Sequence, residues 1–116
     1  VNLQEIKHMY FLGIGGIGMS ALARYFNARG VRIEGYDKTA TPLTDQLQAE
    51  GIAIHFEEDI AALPQHIDLV VLTPAIPAGH KELVYLQQKS FPIVKRAELL
   101  GMLTREMNCI AVGGTH

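Results

Sequence analysis

Six consecutive residues, Gly13-Ile14-Gly15-Gly16-Ile17-Gly18, hold four glycines, and Gly13, Gly15 and Gly18 stand in the spacing G-x-G-x-x-G. Glycine is needed there for three physical reasons. A strand must turn sharply into a helix, a diphosphate must approach the backbone with no Cβ in the way, and the helix must pack closely on the strand. The amides that open such a helix face the anion, and the helix dipole adds attraction. Asp37 follows Gly18 by 19 positions (37 − 18), near the ~20 at which a carboxylate accepts ribose hydroxyls in this arrangement. The chemistry is that of a nucleotide-diphosphate site. A glycine turn that serves packing alone, and an aspartate that caps its own turn, are the plainer alternatives.

The remaining polar side chains carry weaker signals. His8, His55, His66, His80 and His116 show no HxxxH or Cys/His spacing, so they are expected to be solvated or locally bonded rather than metal-bound. Glu57-Glu58-Asp59 is the densest charge run and reads as a solvated loop. Cys109 is the single cysteine, which excludes an internal disulfide; its apolar run, Cys109-Ile110-Ala111-Val112, reads as a buried strand. Arg96, at the start of a helical segment, fits an anion contact and a plain surface arginine equally well.

Short apolar runs alternate with segments of helical period, the pattern of a parallel sheet with crossover helices. Met9–Leu12 reads as a buried strand entering the glycine loop, followed by a helix at about Ile17–Ala28. Its inner face is expected to carry Ile17, Ala21, Leu22, Tyr25 and Phe26, and Gly30 is placed to stop it. A strand at Val31–Tyr36 ends at Asp37. Thr41-Pro42 supplies a cap and a first-turn proline for the next helix, which Gly51 terminates. Strands are expected at about Ile52–Phe56, Leu69–Leu72 and Pro92–Lys95, with a brief turn capped by Asp59. Helices are expected at about His80–Lys89 and Ala97–Arg105, the latter with Leu100, Leu103 and Met107 inward. A sixth strand is expected at Asn108–Val112, opening onto Gly113-Gly114-Thr115-His116. The fold class is therefore α/β, a Rossmann-like doubly wound parallel sheet of about five strands in a single domain, followed by what looks like a truncated βα unit.

The bulk numbers agree with that class. The 116 residues are 48% hydrophobic and 19% charged, enough for one core. Ten Lys and Arg against 12 Asp and Glu give a formal charge of −2, so no basic footprint for nucleic acid exists. No apolar stretch nears the ~20 residues that span a bilayer, and Val1–Lys7 lacks a signal-peptide layout. The expected location is the cytoplasm.

Gly13–Met19, continued by Ser20-Ala21-Leu22-Ala23, resembles the opening of the Mur ligases, in particular the type that adds L-alanine to UDP-N-acetylmuramate. Gly35-Tyr36-Asp37 stands where the family commonly has Gly-Ser-Asp. Thr73-Pro74-Ala75-Ile76 is similar to its Ser-Ser-Ala-Ile loop, and Pro92–Leu100 also matches. Gly113-Gly114-Thr115-His116 looks like the first half of the family's Gly-Thr-His-Gly-Lys-Thr phosphate loop. The resemblance runs from His8 to His116.

It implies a three-domain enzyme whose first domain holds UDP, whose second binds ATP and magnesium, and whose third helps bind the amino acid. The muramoyl carboxylate is activated as an acyl phosphate, which the amine of alanine attacks. Residues 1–107 would be the UDP-sugar-binding domain and 108–116 the truncated start of the ATP-binding domain. By the resemblance, the backbone of Gly13, Gly15, Gly16, Ile17, Gly18 and Met19 holds the diphosphate. Asp37 meets the uridine ribose, and Thr73, Pro74, Ala75 and Ile76 line the same cleft. Gly114, Thr115 and His116 would begin the ATP site. These 116 residues alone are expected to bind UDP-N-acetylmuramate, to carry no cofactor, metal or catalytic residue, and to meet neither nucleic acid nor membrane. Glu57-Glu58 replaces a common Gly-His pair, and Pro74 and His80-Lys81 replace Ser and Asn-Pro, which leaves contacts there open. The alternatives are the related ligase that recycles murein peptides, and an NAD(P)-binding module.

Overall fold

The computed structural model describes the backbone of residues 3–115 and the side chains of residues 3–106. Five strands, β1 (His8–Leu12), β2 (Arg32–Tyr36), β3 (Ala53–His55), β4 (Leu69–Leu72) and β5 (Ile93–Lys95), form one sheet in the order β3-β2-β1-β4-β5. Every pairing is parallel. Four helices connect or follow the strands: α1 (Ile17–Ala28), α2 (Pro42–Ala49), α3 (Lys81–Gln88) and α4 (Arg96–Thr115). The doubly wound α/β sheet expected from the sequence is the fold.

Strand alternation divides the core in two. Met9 and Phe11 of β1, with Leu69 and Val71 of β4, face α1, α2 and α4 through Leu22, Phe26, Leu47 and Leu99. Tyr10, Leu12 and Val70 face α3 through Leu83 and Leu86. Met9, Tyr10, Phe11 and Leu12 are all fully buried, as a central strand covered on both faces should be. This explains why β1 reads as a continuous apolar run instead of an alternating one.

Local chemistry sets the helix ends. Gly30 adopts φ +90°, a left-handed conformation that glycine reaches without a Cβ penalty, and Val31 N–H then bonds back to Phe26 O at 3.1 Å. At α2 the cap is reciprocal. Thr44 N–H donates to Thr41 Oγ1 at 3.2 Å and Thr41 N–H donates to Thr44 Oγ1 at 2.8 Å, with Pro42 in the first turn. Asp59 caps the short 3-10 turn Ile60–Ala62 through Ala61 N–H. Ser90 ends α3 with φ 61°, which no glycine in the sequence announced.

Three expectations change. The buried stripe of α1 is Met19, Leu22, Ala23 and Phe26, while Ile17 is 87% exposed and Ala21 is also exposed. An i, i+3, i+4, i+7 set anchored on Met19 makes a tighter seam than one begun at Ile17. On α4 it is Leu99 that is fully buried and Leu100 that faces out; Met107 lies outside the residues whose side chains are described. Finally, Asn108–Val112 is not a sixth strand, because α4 runs unbroken to Thr115. A formed helix gains one bond per added residue, and no proline interrupts Arg105–Val112. A strand, by contrast, needs an adjacent edge to pair with.

Candidate functional site

After β1 the chain turns toward β2, and after β4 it turns toward β5 on the opposite side. β1 and β4 are neighbours, with Leu12 opposite Leu72. The crevice at their carboxyl ends is therefore the topological switch point, the place where open α/β sheets bind ligands. The glycine loop leaves one strand and the segment 73–79 leaves the other.

Gly13 makes the turn. Its φ is +91°, and the N–H groups of Gly13 and Ile14 both donate to Tyr36 O, at 2.8 and 3.0 Å. A Cβ on Gly13 would lie 2.2 Å from Thr73 Cγ2, so the two loops touch only because residue 13 has no side chain. Gly16 occupies the N-cap position of α1 with no side-chain cap, and the first turn of α1 contains no acidic residue. The opening amides of a 12-residue helix are thus left for an external acceptor. Met19 is buried at 2% exposure, with its Cβ and Cγ packed beside Gly16.

Asp37 stands against this loop. Its Oδ2 accepts Gly15 N–H at 2.7 Å and its Oδ1 accepts Thr39 N–H at 3.0 Å. A Cβ on Gly15 would sit 2.7 Å from the same Oδ2. The carboxylate serves as turn cap and loop anchor together, and each oxygen keeps a further lone pair for a hydroxyl. A Cβ on Gly18 would meet the Arg96 side chain, with Cδ and Nη1 both at 3.0 Å. Arg96 therefore lies across the first turn of α1. The nearby Glu98 carboxylate is engaged elsewhere, accepting Lys95 N–H at 2.9 Å.

Beside Asp37 opens a cavity of about 400 Å³. Tyr36 and Lys38 flank it on the β2 side, Glu58 closes one end, and Ala75, Ile76 and Pro77 form the opposite wall with His80. Of the expected cleft residues, Ala75 and Ile76 line this cavity. Thr73 abuts Gly13 instead, and Pro74 is exposed. Gly114 and Thr115 fall in the last turn of α4, where side chains are not described, and His116 lies outside the described residues.

The sequence reading missed what holds this cavity. Glu82, in the first turn of α3, is fully buried. It accepts the Tyr10 hydroxyl proton, a bond from His55 Nε2 at 2.6 Å and Asp59 N–H at 2.9 Å. Burial pushes its pKa up, but bonds from His55, the Asp59 amide and Tyr10 together outweigh burial and hold the carboxyl below its usual range. Burial, then the bond to Glu82 and its charge, raise the Tyr10 hydroxyl far above the ordinary phenol range. Burial likewise raises Tyr36, with Glu58 next in effect.

Two readings gain detail here. Glu57, Glu58 and Asp59 form an exposed loop, as expected, in which Glu58 accepts Lys81 N–H at 2.8 Å and Asp59 N–H donates to Glu82. His80 is only 2% exposed; its Nδ1 accepts Glu82 N–H at 3.2 Å, and its Nε2 is buried without a partner among the described residues. Leaving such a donor unpaired costs about 1–3 kcal/mol. A pair of adjacent acids beside a strand end, with a histidine opening the next helix, is too common a pattern to have flagged either feature.

Comparison with known proteins follows the same residues. The model of the Mur ligase family, catalytic domain, matches residues 8–107. The chain is 52% identical over 121 aligned positions to UDP-N-acetylmuramate–L-alanine ligase of Christiangramia forsetii, covering 99% of this chain and 27% of that protein. It is 50% identical to the enzyme of the same name from Porphyromonas gingivalis, over 96% of this chain and 25% of the relative. The chain thus spans about a quarter of the length of these relatives. Among solved structures, UDP-N-acetylmuramate-alanine ligase of Thermotoga maritima superposes with TM-score 0.79 at 33% identity, over 85% of this chain and 23% of that one. A murein peptide ligase from Psychrobacter arcticus gives 0.76 at 29%, over 83% and 20%. With a family model matched across nearly all of the sheet and its loops, the chain belongs to the Mur ligase family.

Proposed function

We propose that these residues form the nucleotide-sugar-binding domain of a cytoplasmic UDP-N-acetylmuramate–L-alanine ligase in peptidoglycan synthesis. Residues 1–107 are the domain and 108–116 lead into the ATP-binding domain. The observation that carries the reading is the meeting, at one switch point, of an uncapped glycine-loop helix with a cavity beside Asp37. The backbone of Gly15, Gly16, Ile17, Gly18 and Met19 binds the diphosphate, and Arg96 adds positive charge over the same turn. Asp37 takes the ribose hydroxyls, and the cavity takes the uracil. Thr73 and Gly13 hold the two loops in register.

The alanine-adding reading is favoured over murein-peptide recycling by relatives of 44–52% identity that all carry the former name. Family membership displaces the NAD(P) alternative. ATP, magnesium and L-alanine are partners of the longer ligase. Among the described residues no group of three or more His, Cys, Asp or Glu converges to hold a metal. Binding is the role this reading assigns to these 116 residues.

Calorimetric titration with UDP-N-acetylmuramate, UDP, NAD and ATP tests the reading. UDP and the nucleotide sugar should bind, and Asp37→Ala should weaken UDP by about 1.5–3 kcal/mol as a charged hydrogen bond to ribose is lost. NAD binding tighter than UDP would overturn it, as would phosphate release by these residues when mixed with ATP, magnesium, alanine and the nucleotide sugar.

A further inference from the structure

Two segments beside the crevice hold each other by exchanged carboxylates. Glu58, in the segment that follows β3, accepts Lys81 N–H at 2.8 Å. Glu82, in the first turn of α3, accepts Asp59 N–H at 2.9 Å. Each acid thus satisfies a backbone amide on the other's segment. Lys81 is the first residue of α3, and its N–H has no acceptor inside the helix. The two halves of this clasp differ. Glu82 is fully buried and is also bonded by Tyr10 and His55. Glu58 keeps 37% of its side chain exposed, with His80 Nδ1 4.0 Å away, and its bond to Lys81 lies at the surface. Water competes there for both partners. One half is fixed and the other is built to let go.

We propose that the Glu58–Lys81 contact is a latch whose opening sets the rate at which a nucleoside diphosphate enters and leaves the crevice. The inference rests on the nucleotide reading above and adds to it how the site admits its ligand. Glu58 itself lines the cavity, so the latch sits on the ligand's path. The moving part is small. Residues 56–58 belong to no helix or strand and lie between His55 and Asp59, both bonded to Glu82. The buried network therefore stays intact when Glu58 lets go. Both partners also stand where this chain departs from the family pattern, Glu58 in place of His and Lys81 in place of Pro. Proline has no N–H to donate, so the bond needs both departures. The latch is a feature of this chain and not of the fold.

The test is the kinetics of UDP binding, with both rates taken from NMR line shapes along a titration of this chain and its variants. Glu58→Ala removes the acceptor. Lys81→Pro removes the donor at the first helical position, where proline is accepted. His80 already has the extended backbone, φ −57° and ψ 129°, that a residue before proline needs. Each variant should raise the association and dissociation rates together by about threefold to tenfold, the worth of one hydrogen bond, with Kd nearly unchanged. The double variant should be no faster than either single one, because both changes delete the same bond. Glu57→Ala, an exposed neighbour, should leave both rates as they are. Unchanged rates in Glu58→Ala and Lys81→Pro overturn the proposal and leave the nucleotide reading intact. So does a change in dissociation alone, which marks an ordinary ligand contact, and so do additive effects in the double variant. Hydrogen exchange in the unliganded chain gives a check that needs no ligand. The Lys81 amide should be less protected than the Asp59 amide, and equal protection removes the latch whether or not UDP binds. Failure of the unsubstituted chain to bind UDP would sink the nucleotide reading, and the gate with it. Should one latch variant fail to fold, the other carries the same prediction.

Discussion

The two banks of the crevice are built on opposite plans. The glycine bank is six contiguous residues that present backbone amides and, apart from the exposed Ile17, no side chain, with helix α1 left uncapped behind it. The cavity bank is assembled from side chains on four elements, and its central bond joins Tyr10 to Glu82 across 72 positions. On the proposed reading, one bank binds by what it omits and the other by what it brings together. The difference teaches where damage should appear. Changes in the cavity bank should cost stability first, because Tyr10 and Glu82 at its base are fully buried and bonded to each other. Changes in the glycine bank should divide according to what each glycine touches.

The largest expected effect is at Glu82. Replacing it with Ala removes the acceptor shared by the Tyr10 hydroxyl, His55 Nε2 and the Asp59 amide, and removing one partner of a buried charged network costs about 3–5 kcal/mol. Urea unfolding would measure the loss. The same carboxylate predicts a pH dependence. Its folded pKa lies below the ordinary carboxylate value, so its contribution is complete above that ordinary value and disappears as pH falls through the folded one. Asp68, lowered by bonds from the Lys7 and His8 amides and by His66 against a smaller opposing effect of burial, acts in the same direction. Stability should therefore fall on acidification below about pH 4.5, the ordinary Glu value, and Glu82→Gln should flatten that part of the curve. An unchanged acid limb in the Gln variant would remove Glu82 from the account.

Gly13 and Gly15 sharpen the comparison within one bank. Gly13→Val must place a branched side chain at φ +91°, with its Cβ 2.2 Å from Thr73 Cγ2. Backbone strain of about 1–2 kcal/mol adds to overpacking of about 1–3 kcal/mol, for a total of about 2–5 kcal/mol in a thermal or urea melt. Gly15→Val has a negative-φ backbone, and its Cβ meets the Asp37 carboxylate at 2.7 Å and Thr44 Cγ2 at 3.0 Å. It should cost about 1 kcal/mol of stability, the worth of a typical hydrogen bond, yet lose UDP affinity more than tenfold. If both variants lose stability equally while Gly15→Val binds UDP normally, the loop is a packing device and not a phosphate cradle.

What the sequence revealed follows the same division. The glycine loop, Asp37 and all five strands were legible because each is a local pattern: a turn, a terminal acid or an apolar run. The network of Tyr10, His55 and Glu82 was not, since the register of β1, β3 and α3 that unites them exists only once the sheet has formed. The face of α1 was misjudged for a related reason. Ile17 and Met19 are both apolar, and only the direction of approach to the sheet decides which one is buried. The glycines also make contacts that the motif does not announce. Gly18 admits the Arg96 side chain, a contact 78 positions away (96 − 18) that no motif encodes.

Arg96 yields the smallest effect and the finest discrimination. Its guanidinium lies over the first turn of α1, close to amides that already carry partial positive charge. Two positive elements side by side repel weakly in the free chain, so removing the arginine should leave stability within about 0.5 kcal/mol. With a diphosphate bound, the sign reverses. The guanidinium becomes a partner of the anion, but it is half exposed, and solvent screening limits its worth to about 1 kcal/mol, roughly a fivefold change in affinity. Arg96→Ala should therefore weaken UDP about fivefold and leave uridine, which has no phosphate, untouched. The deficit should shrink as salt rises from low ionic strength toward 0.5 M, because the Debye length contracts to a few ångströms, roughly the contact distance. Arg96→Lys should recover part of the affinity, since charge matters more than the fork at an exposed contact. If Arg96→Ala binds UDP and uridine as the unsubstituted chain does at low salt, the arginine is a surface residue whose stem merely covers Gly18. The anion then rests on the glycine-loop backbone alone.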